Sequence, residues 1–135
     1  MIFSIVAAII IILLLDGIWL GLISKKDWNS QILSIQGKPM KIRVGGAIVA
    51  YVLLVVAVIV FGVLKVRKSS KPYRDSLIYG SLLGLCIYGV YDGTVYAILE
   101  DYTLWTAAKD VLWGVFLLSV TTLVATYVDR RKLKI

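Results

Sequence analysis

Four stretches of about twenty residues, each overwhelmingly apolar, set the limits on what this chain can become. They run over residues 2–23, 44–64, 77–98 and 106–128. An α-helix of about 20 apolar residues crosses a hydrocarbon core of about 30 Å, and inside that core every backbone N–H and C=O must find its partner within the segment. Each stretch therefore predicts one spanning helix, and the fold class is all-α: an integral membrane bundle of four transmembrane helices. Composition agrees, since 60% of the 135 residues are hydrophobic and 17% are charged, against about 25% charged in an average soluble domain. The first stretch is expected to remain as a helix rather than be cleaved as a signal peptide. No Lys or Arg precedes it, and no small-residue cleavage pattern follows. With no low-complexity tract and no composition shift, residues 1–135 read as a single four-helix transmembrane domain.

Several chemistries are excluded at once. The chain has no His, which removes imidazole metal sites, Ser-His-Asp triads and Cys-His pairs. Its one cysteine, Cys86, sits in an apolar run and forms no intramolecular disulfide. Lys and Arg number 15 against 8 Asp and Glu. Nine of these cations lie in the second connection (Lys65, Arg67, Lys68, Lys71, Arg74) and the tail (Arg130, Arg131, Lys132, Lys134), and six lie in the first connection and at Lys109. Cytoplasmic connections carry the excess, so both termini are expected in the cytoplasm, at a plasma or inner membrane. The basic residues also suit anionic lipid headgroups, and their scatter over several segments makes nucleic acid an unneeded partner.

The first connection is long enough for structure of its own. Asp27 can serve as an N-cap, Trp28, Ile32 and Ile35 recur at helical spacing, and Gly37-Lys38-Pro39 is a stop signal. This predicts a short helix between Asp27 and Gln36 lying in the membrane interface, its lysines toward water. The third connection, Leu99 to Trp105, is a tight turn, and Trp28, Glu100, Asp101 and Trp105 read as headgroup-level anchors.

The informative residues are three aspartates inside the spans. A carboxylate at the centre of a spanning helix costs about 2.5–3.5 kcal/mol on insertion scales, so each requires an offsetting interaction. Asp16 lies near the end of span one, Asp92 near the end of span three and Asp110 near the start of span four. Chain direction alternates from span to span, so all three fall at one depth on one side, which the proposed orientation makes the outer third of the bilayer. Span three carries Gly80, Gly84, Tyr88, Asp92 and Tyr96 every four residues, and span four carries a comparable stripe from Thr106 through Asp110, Trp113, Gly114 and Leu117 to Thr121. Asp16 and Trp19, like Asp110 and Trp113, stand three apart, which places each indole beside its carboxylate on one face. Span two has no ionisable carboxylate or amine between Val44 and Leu64 and reads as packing, with Gly45, Gly46 and Tyr51 its distinctive residues.

The arrangement points to a polar cavity lined by Asp16, Trp19, Tyr91, Asp92, Thr94, Asp110 and Trp113 that receives a cation, a proton or a polar lipid headgroup. Carboxylates would carry the charge and aromatic faces would wall it. Oxygen ligands alone favour Na⁺, Ca²⁺ or Mg²⁺ over Zn²⁺ or copper, and three carboxylates are enough for one divalent ion, although no pattern demands a metal or identifies a cofactor. Two other classes fit the same residues. One is a lipid-modifying membrane enzyme with an aspartate as base and Tyr91 or Lys109 as acid. The other is a structural subunit, or a homo-oligomer, within a larger membrane complex, its acids fixing how helices pack.

These motifs also resemble the signature of a small bacterial integral-membrane family known as a domain of unknown function, a four-span protein of about this length. The resemblance rests on Asp16-x-x-Trp19 followed by Leu20-Gly21, on Tyr91-Asp92-x-Thr94, and on Asp110-x-x-Trp113-Gly114, in series along the whole chain. The family pattern has Asn after Tyr-Asp-x-Thr, where this chain has Val95, one polar group fewer. The resemblance implies a four-helix membrane protein whose acids, indoles and Tyr91 matter together, and it carries no reaction with it.

Overall fold

The architecture is that of a computed structural model, which describes residues 1–133; Lys134, counted above among the tail cations, lies outside the described residues. The helices, in chain order, are α1 (Ile2–Ile23), α2 (Lys25–Gln36), α3 (Val44–Val66), α4 (Pro72–Ile98) and α5 (Leu104–Leu133). Four of them, α1, α3, α4 and α5, are long and apolar enough to cross a membrane. Among the described residues there is no strand. Local signals account for the boundaries. Pro72 opens α4 in the first turn, where its missing N–H costs nothing. Gly37 ends α2 at φ 66°, a left-handed conformation that favours glycine.

Two of the spans widen locally into π-helical turns, Trp19–Ile23 closing α1 and Val58–Val63 within α3. Such turns concentrate where a helix re-aims side chains, often at functional positions. The first begins at an indole that the sequence singles out.

The central helix is α5, which buries the largest share of its surface. It packs most extensively on α4 and next on α1. The apolar core joins Ala8 of α1, Val58, Ile59 and Val63 of α3, and Leu117, Leu118 and Ala125 of α5. In α3 the half from Val44 to Ala57 buries no residue, whereas the half from Val58 to Val63 contributes four. The helix therefore leans away from the bundle toward the end that carries α2. Its splay leaves a groove on either side. One, of about 640 Å³, lies between α1 and α3 and is apolar apart from Tyr51. The other, of about 460 Å³, lies between α3 and α4 and has Asp110 in its wall.

Candidate functional site

Three helices each bring a carboxylate to the α2 end of the bundle. On α1 the buried stripe is Ser4, Ala8, Ile12 and Asp16, four residues apart, so the same repeat that packs this helix carries Asp16 inward. Asp16 accepts from the Tyr51 hydroxyl of α3 at 2.5 Å and from the Trp113 indole N–H of α5 at 2.9 Å. On α4 the glycines set the approach, since a Cβ on Gly84 would collide with the Gly114 carbonyl and one on Gly80 with the backbone of Leu118 and Ser119. Asp92, two turns beyond Gly84, is thereby pressed against α5 and is fully buried.

Asp92 and Asp110 form the centre of the site. The Tyr102 hydroxyl, from the α4–α5 connection, donates to Asp92 Oδ1. Asp92 Oδ2 is buried with no hydrogen-bond partner among the described residues. The Asp110 carboxyl stands within hydrogen-bonding reach of Asp92, and the charge of Asp16 also acts on it. Two ionised carboxylates are both acceptors only, so a contact between them closes when a proton or a cation lies between. No Lys or Arg pairs with any of the three acids among the described residues. Burial, followed by the bond to Asp92 and its negative charge, holds the Tyr102 hydroxyl well above the ordinary phenol range, so it serves as a donor throughout the physiological range.

The indoles complete the wall. Trp19 and Trp113 stack with ring centroids 4.7 Å apart and planes 4° from parallel. The stack joins α1 to α5 across the acids, Trp113 bonding to Asp16 on the opposite helix. Trp19 Nε1 is buried without a partner in hydrogen-bond geometry, Asp110 being a neighbouring acceptor. Tyr88 lies against Gly114, where a Cβ would strike its ring, and stands among the three acids.

Above the acids, α2 is docked onto the protein. Gln31 is buried, its amide N–H₂ donating to the Asp101 carbonyl and its oxygen accepting from the Thr103 N–H and the Thr106 hydroxyl, both at 3.0 Å. Thr106 is one turn before Asp110. The Lys109 ammonium pairs with Asp27, and Trp28 packs on Tyr102 at 6.2 Å. One expectation, the N-cap, is corrected here. Asp27 is a first-turn residue rather than the N-cap, a position held by Ser24, because the helix begins at Lys25, and its carboxylate pairs with Lys109. The stripe Trp28, Ile32 and Ile35 is half-buried, because Gln31 within it fastens that face to the α4–α5 connection.

Of the residues singled out from the sequence, the structure gathers Asp16, Trp19, Asp92, Asp110 and Trp113. Tyr91 is 56% exposed and lines the α3/α4 groove at the edge of the site. Thr94 is exposed, because two residues after Asp92 the helix has turned to its far side. A single divalent ion on three carboxylates is not what the geometry offers. No group of three His, Cys, Asp or Glu among the described residues is placed for one metal, and both oxygens of Asp16 are already engaged by Tyr51 and Trp113.

A family model described as a predicted membrane protein (DUF2177) matches residues 1–127, a span that contains every element of the site. The chain belongs to the DUF2177 family. No curated protein and no solved structure matches it. The DUF2177 match extends over all four spanning helices and ends within α5, ahead of Asp129.

Asp129 belongs to a second polar cluster of this DUF2177 chain, one that sequence reading missed. It is 1% exposed and receives Arg67 through two bonds, Nε at 2.8 Å and Nη2 at 2.9 Å, with Ser4 Oγ at 3.3 Å. In the sequence alone Arg67 reads as a topogenic cation. The available signal was periodic: Thr122, Thr126 and Asp129 share one face of α5 and are all buried. Gln31 was missed likewise, although it lies inside the Trp28–Ile32 stripe.

Proposed function

We propose that this small integral membrane protein binds a proton or a cation at the acid and indole cluster of Asp16, Asp92 and Asp110, with Trp19 and Trp113 as its wall. The observation that carries this reading is the full burial of Asp92 with Oδ2 unpartnered, beside a second buried carboxyl, with no Lys or Arg paired to either among the described residues. A purely structural network would be expected to satisfy its own acceptors, since an unpartnered buried carboxylate oxygen is costly. Here one place is left for something positively charged. The excess of Lys and Arg on the second connection and tail supports placing both termini in the cytoplasm and the cluster in the outer third of a plasma or inner membrane.

Infrared spectroscopy of the purified protein tests the reading. At neutral pH in salt-free detergent solution the carbonyl band of a protonated carboxylic acid should be present, and it should weaken or shift in both Asp92→Asn and Asp110→Asn. A spectrum containing only carboxylate bands, or an acid band untouched by either substitution, would reject the site.

A further inference from the structure

The splay of α3 gives the acid cluster a side opening, and its chemistry narrows what arrives there. The groove between α3 and α4 is walled by Ala50, Leu53 and Leu54 on one side and by Ile87, Tyr88 and Tyr91 on the other, with Asp110 from α5 between them. Leu53 and Tyr91 are 60% and 56% exposed, so the groove opens along the flank of the bundle, which faces acyl chains rather than water. Its volume of about 460 Å³ lies within the range of small-molecule sites, about 300–1,000 Å³. The walls are apolar and aromatic, no Lys or Arg lines them, and the polar end is a carboxylate. An anionic or phosphate-bearing headgroup would meet Asp110 with Asp92 and Asp16 behind it, and no cation to receive it.

We propose that the α3/α4 groove binds a lipophilic monocation, an apolar body with a single ammonium-type charge, which enters from within the bilayer and sets that charge against Asp110. The proposal rests on the cation-binding reading above and names its ligand class. Tyr88 and Tyr91 line the groove, and aromatic rings attract a cation, an interaction that strengthens when it is desolvated. The groups facing Asp110 are Asp16 from α1, Tyr88, Tyr91 and Asp92 from α4 and Tyr102 from the connection; none of them is basic. The proton held between Asp92 and Asp110 leaves as the cation arrives, so the net charge of the cluster is unchanged and no other group need ionise.

Tetraphenylphosphonium and tetraphenylborate, ions of nearly one shape and opposite sign, serve as probes on the full chain in detergent. The expected result is saturable binding of tetraphenylphosphonium, release of about one proton per cation bound in weakly buffered solution, and no saturable binding of tetraphenylborate. Leu54→Trp, which narrows the groove from its α3 wall and removes no carboxyl group, should weaken phosphonium binding at least about tenfold while leaving the infrared carboxylic acid band as in the parent. Equal binding of both ions, or phosphonium binding unchanged by Leu54→Trp, overturns the proposal. If the acid band is present and phosphonium fails to bind, the ligand class falls and the proton site stands. If the band itself is absent, the underlying site falls with it. Asp110→Asn should abolish proton release, and release that persists in that variant also overturns the proposal.

Discussion

At the level of single residues, the two buried aspartates most dependent on a named partner are Asp92 and Asp129. Tyr102→Phe removes the donor to Asp92 Oδ1 while keeping the ring in place against Trp28. It should lower stability by about 1–3 kcal/mol, read as a fall in thermal midpoint in detergent. The Tyr102 hydroxyl is held above its ordinary range, so the stability it contributes is complete below the pKa of an unfolded tyrosine and is lost as pH rises beyond it. Part of the alkaline loss of stability should therefore disappear in Tyr102→Phe, and an identical alkaline limb in parent and variant would contradict the assignment. Arg67→Ala leaves Asp129 buried and without its bidentate partner, a change expected to cost about 3–5 kcal/mol. Asp16, Asp92 and Asp110 were legible from the sequence because a carboxylate in an apolar run is conspicuous. Asp129 was not, since it stands among Arg130, Arg131 and Lys132 and looks like part of a solvated tail.

Among the elements, the pair α4 and α5 depends on glycine at particular turns. Gly84→Ala drives a methyl into the Gly114 carbonyl and should destabilise by about 1–3 kcal/mol, whereas Gly89→Ala on the same helix meets open space and should be neutral or slightly stabilising. Thermal unfolding of the two variants side by side separates close packing from helix propensity. The spacing of Trp28, Ile32 and Ile35 and the Gly37 stop predict the small α2 as a helix, yet periodicity alone does not say whether its apolar face meets lipid or protein. Gln31 decides it. Gln31→Leu removes the acceptor for the Thr103 N–H and Thr106 hydroxyl, and hydrogen exchange at Thr103 should quicken while the spans remain protected. Unchanged exchange there would mean that α2 is held by other contacts.

For the molecule as a whole, the gathering of the three acids at one end of the bundle was readable because alternating chain direction puts the end of one span beside the start of the next. The lean of α3 was not readable. Apart from Tyr51 its residues from Val44 to Ala57 are apolar or glycine, and such a run packs equally well on protein or on lipid, so its pattern does not distinguish a splayed helix from a closed one. The proposed orientation makes a direct prediction at this scale. With the exposed Cys86 first replaced by Ser, a cysteine at Ser34 should react with an impermeant reagent from outside intact cells and one at Ser70 should not. Labelling at Ser70 from outside reverses the orientation, yet leaves the three acids together at one depth.

The dependence of Asp92 on α5 also bears on how the protein is made. Helices leave the ribosome one at a time, and α4, the least apolar of the four spans, reaches the membrane ahead of the segment whose Tyr102 and Asp110 receive its carboxylate. A chain truncated before α5 should accordingly insert α4 inefficiently, and a glycosylation acceptor placed after Ile98 would report the shortfall. Completion of the last helix would then be the step that commits the third to the bilayer.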